Sequence, residues 1–371
     1  MTKYPYDHIW INHKKISLAD IQSESCTAGN EFEQNTFGFI SRWLNGETLF
    51  EVQTSGSTGQ PKKISFTRAQ MEASALLTEK ALSLKQGYHA LLCLDPKYIA
   101  GKMMLVRCFT TGMLVIAHTP SSTPLYGLQK KIDFAALVPA QLYETLRADN
   151  AHVLNEIKTV IIGGGAIGHT LLKDLQRYAC TFFATYGMTE TLSHIALQQL
   201  NGTNAADYFR ILPGIQIDLD ARDCLVIKAP FLDAPVVTND IVFRRDHDTF
   251  QWMGRFDNII NTGGIKILPE KVEAEIQKAF ECLNYERHFF IFSVPDEKLG
   301  EKIVLFIEGE EISLPDQERL GSWLRKSLSA YEMPKEVIIL SRFNFTETGK
   351  INRFSSAQNS NKSIQKFTLK K

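Results

Sequence analysis

The sequence predicts an α/β protein: a large N-terminal α/β domain with an added antiparallel β region, a hinge, and a small C-terminal α+β domain. Short apolar strands alternate with helices between residues 90 and 185, as in a largely parallel sheet. Short strands separated by turns follow over residues 215–253, as in antiparallel β structure. Helices and strands mix again beyond Pro269. We therefore expect domains at residues 1–256 and 257–371.

The elements of the first domain follow in chain order from hydrophobic periodicity and capping signals. The first 45 residues carry only a weak pattern. Residues 49–54 alternate as a strand, and Thr67 to Gln70 form a capping box that begins a helix reaching residue 84. Further strands are expected at residues 90–94, 114–117, 134–138, 159–162 and 181–185, and further helices at residues 103–109, 140–147 and 170–178.

The second half is predicted in the same way. Pro269 begins a helix to residue 280, and glutamates in its first turns favour the helix dipole. The polar tail after Phe354 is expected to be mobile. The remaining strands are expected at residues 215–219, 225–227, 236–243, 250–253, 289–294, 303–307 and 337–340, and a last helix at residues 315–328.

Composition excludes several classes of protein. The 371 residues include 41 Lys+Arg and 41 Asp+Glu, so no net charge attracts nucleic acid or an anionic membrane. No apolar run approaches the ~18–20 residues that span a bilayer, and the N-terminus lacks the apolar core of a signal peptide. The six cysteines form no C-x-x-C pair, which argues against a zinc site and a disulfide framework. We therefore expect reduced thiols and a cytoplasmic location.

A hydroxyl- and glycine-rich segment at residues 54–62 is the most informative stretch. Its glycines let backbone N–H groups converge on an anion, its hydroxyls add donors, and its lysine adds a point charge. This combination suits a polyphosphate, although a flexible hairpin loop is the alternative. It is not a Walker A loop, because proline rather than glycine precedes the lysine. Its residues are Thr54, Ser55, Gly56, Ser57, Thr58, Gly59, Gln60, Pro61 and Lys62.

A second glycine-rich segment, residues 163–168, fits G-x-G-x-x-G between a predicted strand and a predicted helix. Glu190 follows at about the distance of the ribose-binding acid in dinucleotide folds. Alone, this pattern would suggest a nicotinamide dinucleotide site. Nothing else in the sequence supports hydride chemistry.

The 54–62 segment and four later motifs, in this order, resemble the adenylate-forming superfamily of acyl- and aryl-CoA ligases, luciferases and peptide-synthetase adenylation domains. The resemblance covers residues 50–355. One motif departs from the pattern, because Asn239 replaces the glycine of Thr-Gly-Asp. The later motifs are Tyr186-Gly187-Met188-Thr189-Glu190, Thr238-Asn239-Asp240, Gly254-Arg255-Phe256-Asp257-Asn258 with Gly263-Gly264-x-Lys266, and Thr348-Gly349-Lys350-Ile351-Asn352-Arg353.

The resemblance implies that the 54–62 segment binds the ATP phosphates and that Tyr186 and Gly187 belong to the ATP site, with the Tyr186 ring stacked on the adenine. Thr189 would donate to the α-phosphate, and Glu190 would hold Mg²⁺, since carboxylates are its preferred ligands. The backbone of the glycine turn would pack against the adenine at Gly163, Gly164 and Gly165.

The remaining roles implied by the resemblance involve the ribose and a moving domain. Asp240 and Arg255 would contact the ribose, and Asp257 would be the hinge. Lys350 would lie between the substrate carboxylate and the phosphate, where it offsets the repulsion of two anions in the transition state. After rotation of the small domain, Gly263 and Gly264 would leave room for the CoA arm.

Within this superfamily the chain resembles the o-succinylbenzoate–CoA ligases of menaquinone biosynthesis, both in its short N-terminal region and in the Leu-Ser-His that follows the second motif. O-succinylbenzoate carries a spectator carboxylate, for which Arg107, Ser193 and His194 are candidate partners. A structural ion pair for Arg107 and a packed core position for His194 are the alternatives. Tyr98 stands where many relatives have histidine, so it is a further candidate for the acyl pocket.

We therefore expect a ligase that uses Mg²⁺, ATP and CoA and acts on a small carboxylate, with no nucleic-acid partner and an undetermined oligomeric state. Two alternatives remain. One is another aryl- or acyl-CoA ligase or a stand-alone adenylating enzyme that loads a carrier protein. The other is a non-enzymatic nucleotide-binding relative, against which the joint retention of the motif lysines, acids and arginine counts.

Overall fold

The computed structural model describes residues 4–53, 63–165, 167–346 and 351–369, apart from the side chains of Gln53 and His169. It contains a long mixed sheet, a smaller sheet and a separate hairpin. This confirms the predicted α/β class with added antiparallel strands. The helices are α1 Leu18–Gln22, α2 Glu31–Leu44, α3 Arg68–Leu82, α4 Ile99–Thr111, α5 Pro139–Arg147, α6 His169–Leu175, α7 Pro269–Cys282, α8 Leu314–Ser327 and α9 Arg353–Ala357.

The strands alternate with these helices in the first half of the chain and dominate its middle. They are β1 His8–Ile11, β2 Lys14–Ser17, β3 Leu49–Gln53, β4 Lys63–Thr67, β5 His89–Leu92, β6 Leu114–Ala117, β7 Phe134–Leu137, β8 Thr159–Ile162, β9 Thr181–Gly187, β10 His194–Gln199, β11 Phe209–Ile211, β12 Gln216–Leu219, β13 Cys224–Lys228, β14 Val236–Arg244, β15 Thr249–Arg255, β16 Ile260–Thr262, β17 Ile265–Ile267, β18 Phe289–Asp296, β19 Gly300–Glu308, β20 Glu336–Leu340 and β21 Gln365–Phe367.

The long sheet has the order β12-β13-β14-β15-β11-β10-β9-β8-β7-β5-β6-β1-β2. Its strands from β9 to β1 are parallel, and β10 joins β9 in the antiparallel sense. The antiparallel strands therefore extend the same sheet. The strand alternation buries side chains on both faces: Leu92 packs in a core with α3 and α4, whereas Leu91 packs in the core beneath α5 and α6.

The smaller sheet has the order β17-β16-β19-β20-β21, with β18 paired to β19. Helices α7 and α8 cover it through Val272, Ile276 and Leu320. Since β15 ends at Arg255 and β16 begins at Ile260, residues 256–259 join the two sheets. We call the part up to Arg255 the first lobe and the part from Ile260 the second lobe. The predicted domain boundary lies in this connection and remains a prediction.

One expectation about order along the chain is wrong, and one region for which no element was predicted is regular. The weakly patterned first 45 residues form β1, β2, α1 and α2, and Trp43 of α2 is almost fully buried. The tail expected to be mobile forms α9, a 3₁₀ turn at Gln358–Lys362 and β21, which pairs with β20. Pairing with β20 holds the short polar β21, and the local sequence gives no indication of that pairing. In the described ranges, no helix has the length and apolar character required to cross a bilayer.

Candidate active site

The carboxyl ends of β8 and β9 create one edge of the candidate site. The two strands are parallel neighbours, with Ile162 opposite Ala184, so the glycine turn after β8 and the Tyr186 motif at the end of β9 lie at the same edge of the sheet. Ligands of open α/β sheets bind at such carboxyl edges. Gly164 has a φ of +86°, a conformation that glycine adopts readily. Gly163 and Gly165 flank it, and Ala166 lies outside the described residues.

Gly187 allows the chain to turn back closely after β9. A Cβ at this position would lie 2.3 Å from the backbone oxygen of Ser193 and 2.4 Å from the Cα of His194. Between them, the Thr191 hydroxyl accepts a hydrogen bond from the Met188 N–H at 3.0 Å and so fixes the turn. The close approach places the backbone of the candidate residues Ser193 and His194 against Gly187 of the Tyr186–Glu190 motif.

The turn itself carries Thr189 and Glu190 in a 3₁₀ helix, Thr189–Thr191. The Glu190 side chain is exposed, and no donor in the described part of the chain is bonded to its carboxylate. An exposed carboxylate on a fixed turn offers the hard oxygen ligand that Mg²⁺ prefers. The donor chemistry at this position therefore fits the predicted magnesium site.

A hydrogen-bonded acid lies at the centre of the antiparallel part of the site. Asp240 on β14 is 7% exposed, and its Oδ2 accepts from the Tyr186 hydroxyl at 2.7 Å. Its Oδ1 accepts from Trp252 Nε1 at 3.2 Å and lies 3.7 Å from Arg255 Nη1. Burial, and then the Asp240 charge, raise the pKa of Tyr186 well above its ordinary value, so the phenol remains a donor. Arg255 in turn donates to Asp257 at 2.9 Å.

The structure therefore joins four predicted residues, Tyr186, Asp240, Arg255 and Asp257, in one chain of polar contacts. Burial lowers the pKa of Arg255, but its hydrogen bond to Asp257 and the charge of Asp240 outweigh this and raise that pKa overall. The Tyr186 ring is 9% exposed and packs edge-on against Phe250 at 5.1 Å. Its predicted stacking on adenine remains a prediction.

A second group of polar side chains lies in the core behind the Thr189–Thr191 turn. Arg107 of α4 is 2% exposed; its Nη2 donates to the Ser193 hydroxyl, and its Nε donates to the Thr78 hydroxyl at 3.3 Å. Thr78 also lies 3.1 Å from His194 Nε2. Three of the predicted substrate residues, Arg107, Ser193 and His194, thus meet in one cluster. The fourth, Tyr98, is 40% exposed before α4 and lies outside it.

The charge of Arg107 has no protein counter-ion in the described ranges. Burial lowers the pKa of its guanidinium to about 10, and no carboxylate offsets this. Burial, and then the charge of Arg107, also lower the pKa of His194 well below its ordinary value, so the imidazole is neutral. The structural ion pair considered for Arg107 is therefore not found in the described part of the chain. A buried, unpaired cation is costly unless an anion binds it.

The second lobe carries the remaining candidates. Gly263 and Gly264 form the turn between β16 and β17, with φ of +57° and +81°. A backbone bridge joins Phe345 to Ile351, on either side of residues 346–350. Below it, Arg353 donates to Glu273 of α7 at 2.9 Å. This ion pair anchors the base of the segment that carries the predicted lysine.

Two sets of candidates lie outside the described residues: Lys350, and the whole 54–62 segment. The neighbouring strands are described. β3 and β4 form an antiparallel hairpin with Gln53 opposite Lys63, and Lys102 of α4 donates to the Glu51 carbonyl at 3.1 Å. The hairpin that leads into the 54–62 segment is therefore fixed to the helix that carries the buried arginine.

Sequence reasoning missed three residues of this site. Trp252 bonds to Asp240, Thr78 connects Arg107 with His194, and Glu273 anchors Arg353. Trp252 lies opposite Val242, two residues along β14 from Asp240, and this register between two strands cannot be read from the sequence of either. Glu273 was predicted only as a charge that favours the dipole of α7. A single buried threonine such as Thr78 gives no pattern.

Comparison with known proteins agrees with the motifs. The model of the family described as "AMP-binding enzyme" matches residues 24–223. A probable 2-succinylbenzoate–CoA ligase of Mycobacterium tuberculosis is 27% identical over 335 residues, which cover 85% of each chain.

Two solved structures extend the comparison to both lobes. An acyl-CoA synthetase (AMP-forming)/AMP-acid ligase II-like protein from Dyadobacter fermentans is 39% identical with a TM-score of 0.61, covering 91% of this chain and 97% of that one. The o-succinylbenzoate CoA synthetase of Bacillus subtilis, in complex with the acyl-adenylate intermediate, is 16% identical with a TM-score of 0.76, covering 94% and 95%. At that identity the second similarity concerns the fold.

Proposed function

Because the chain belongs to the AMP-binding enzyme family, we propose that it activates o-succinylbenzoate with ATP and transfers the acyl group to CoA, as a ligase of menaquinone biosynthesis. The name of the M. tuberculosis relative supports this substrate. The observation that carries the proposal is the buried Arg107, for which the described residues offer no carboxylate partner. A substrate with a second carboxylate would supply the anion that the described residues do not offer to Arg107.

In the first half-reaction, a carboxylate oxygen of the acid attacks the α-phosphorus of ATP. The bond from that phosphorus to the bridging oxygen breaks, and pyrophosphate leaves. Thr189 would donate to the phosphate, and Asp240 and Arg255 would orient the ribose. Glu190 would hold Mg²⁺, which neutralises phosphate charge. Lys350 would reduce the repulsion between the two anions.

In the second half-reaction, the sulfur of CoA attacks the acyl carbon of the adenylate. The thiol proton passes to solvent, the acyl–oxygen bond breaks, and AMP leaves. Rotation of the second lobe about Asp257 would replace Lys350 by the Gly263-Gly264 turn, whose missing side chains leave room for the thiol arm. The two roles of the second lobe require that it occupy two orientations.

Arg107, Ser193 and the neutral His194 would bind the spectator carboxylate. The guanidinium supplies charge, and the hydroxyl and imidazole supply further hydrogen bonds. Thr78 fixes the imidazole from below through its contact with Nε2. An acid with a single carboxylate would leave the buried Arg107 without a carboxylate partner from the substrate or from the described residues, so the cluster would also select against it.

Exchange of labelled pyrophosphate into ATP, measured with a panel of aryl and acyl acids, tests this proposal. We expect the fastest exchange with o-succinylbenzoate, and AMP release that requires CoA. Near-background exchange with o-succinylbenzoate and strong exchange with benzoate or a fatty acid would reject the substrate. AMP release that requires a carrier protein in place of CoA would reject the acceptor. The absence of exchange with every acid in the panel would reject the proposed adenylate-forming activity.

A further inference from the structure

The side chain of Asn239 connects the first lobe to the hinge. Its Nδ2 donates to both carboxylate oxygens of Asp257, each at 3.1 Å. Asn239 lies on β14, next to the ribose candidate Asp240, at the position where the superfamily motif has glycine. A glycine makes no such contact, so this link between lobe and hinge belongs to the residue that departs from the motif.

Arg222 fixes the orientation of the Asn239 amide. Its Nη1 donates to Asn239 Oδ1 at 2.9 Å, and its Nη2 donates to Asp220 at 2.7 Å and to the Thr238 carbonyl at 3.1 Å. A flipped amide would place its NH₂ against the guanidinium and its oxygen against the Asp257 carboxylate, and both contacts repel. Arg222 also lies over the Phe256 ring at 5.1 Å. The amide is therefore held with its donors toward the hinge.

Asp257 has one other hydrogen-bond partner in the described ranges, Arg255, and Arg255 also interacts with Asp240. Arg255 Nη2 donates to Asp257 at 2.9 Å, while its Nη1 lies 3.7 Å from Asp240. If Arg255 turns toward a ribose bound at Asp240, its hydrogen bond to Asp257 weakens. Asn239 is neutral, and among the described residues its amide is bonded to Arg222 and Asp257 alone, so its bond to Asp257 does not depend on that choice.

We propose that Asn239 is a positioning residue that holds the Asp257 carboxylate to the first lobe and thereby favours the lobe orientation seen here over the rotated one. This inference rests on the two-step reaction and on the hinge role proposed above. Two hydrogen bonds to a half-exposed carboxylate shift such an equilibrium about fivefold. The Arg147–Glu286 contact between the lobes, at 2.7 Å, is unchanged in every variant below and cancels in the comparison.

The test measures the distance between the lobes in the full chain. Spin labels on Cys282, which is exposed in the second lobe, and on a Tyr126→Cys variant of the exposed first-lobe Tyr126 report it by pulsed electron resonance. The half-buried Cys26 is replaced by serine in all samples. We expect Asn239→Gly, which restores the motif residue, to reduce the population with the distance of this structure about fivefold relative to the rotated one.

Three controls separate the effect of the Asn239–Asp257 contact on lobe orientation from a general effect on β14. Val237→Gly places a glycine at an exposed position of the same strand and should leave the distances unchanged. Asn239→Asp keeps the bond from Arg222 but opposes Asp257, so it should shift the population at least as far as Asn239→Gly. The double variant Asn239→Asp with Asp257→Asn exchanges donor and acceptor and should restore the parent distribution. A purely structural role would not be rescued in this way.

An unchanged distance distribution in Asn239→Gly, or a double variant that behaves like Asn239→Asp, overturns the proposal. The distances need no substrate, so this result is independent of the activity. If the protein shows no pyrophosphate exchange but Asn239→Gly still changes the distance distribution, the proposed ligase activity is refuted. The proposed role of Asn239 in lobe orientation then stands.

Discussion

Replacing Arg107 by methionine should make the protein more stable and less selective for its acid. The guanidinium is 2% exposed, and burial lowers its pKa to about 10, more than two pH units below an ordinary arginine. At about 1.4 kcal/mol per unit, the charge destabilises the folded state by on the order of 3 kcal/mol. Because this pKa is lowered in a basic group, the penalty is present at every pH below about 10 and is relieved only above it.

Methionine fills a similar volume without charge. Ser193 and Thr78 lose a donor in the variant, which costs roughly 1 kcal/mol. The net gain is about 1–2 kcal/mol, or a rise of roughly 1–3 °C in Tm for a chain of this size. In contrast, the spectator carboxylate loses a buried ionic partner, which costs at least about 2 kcal/mol, or about 30-fold in kcat/KM for o-succinylbenzoate.

Thermal unfolding and pyrophosphate exchange measure the two effects on the same sample. The analogue in which a methyl group replaces the spectator carboxylate should lose nothing in the variant, so the ratio of the two kcat/KM values approaches one. Arg68→Met is the matched control, since Arg68 of the neighbouring helix α3 has a carboxylate partner, Glu72, at 2.9 Å. It should lower Tm and leave the ratio unchanged. A lower Tm in Arg107→Met, with unchanged selectivity, would refute the reasoning.

The remaining predictions concern the nucleotide and the second lobe. Lys350→Ala should abolish adenylate formation and spare CoA transfer from supplied acyl-adenylate. Rapid-quench measurements of the two half-reactions test this, and equal loss of both would contradict the proposed position of Lys350 between the carboxylate and the phosphate. Tyr186→Phe removes a buried donor from Asp240 and should lower the free energy of unfolding in urea by ~1–2 kcal/mol, so an unchanged midpoint argues against a bond of that strength. Glu190→Gln should raise the Mg²⁺ concentration for half-maximal exchange about tenfold, and an unaltered magnesium dependence would exclude this ligand.

The sequence predicted the fold best where apolar runs are bounded by turn residues. The strands at Leu114–Ala117 and Thr159–Ile162 have the predicted bounds, because each is a short buried apolar run and a polar residue or a glycine follows it. Helix α4 was predicted at residues 103–109 and extends over Ile99–Thr111, since its first turn has no side-chain cap to read. For α2 the signal existed: the Asn30 side chain caps the N–H of Glu33, the Asn-x-x-Glu pattern of a capping box.

The candidate site was predictable where motifs carried it, and less so where contacts join distant parts of the chain. Arg107 and Ser193 are 86 positions apart and were both proposed, because the substrate chemistry required a cation and donors. The Arg353–Glu273 pair spans 80 positions and was not foreseen, since a glutamate near a helix start already has a local explanation. β21 likewise consists of Gln365, Lys366 and Phe367, whose strand character comes from the β20 edge.

The continuous ladder β9-β10-β11-β15-β14 has a consequence for how such an enzyme changes over evolutionary time. The residues predicted to grip base and sugar, Tyr186 and Asp240, belong to strands of that one ladder, so backbone hydrogen bonding sets their separation. Arg107 and Thr78 belong to α4 and α3, which lie off the ladder. Mutations in these helices can therefore change which acid is bound while the separation of the predicted nucleotide-binding residues stays the same.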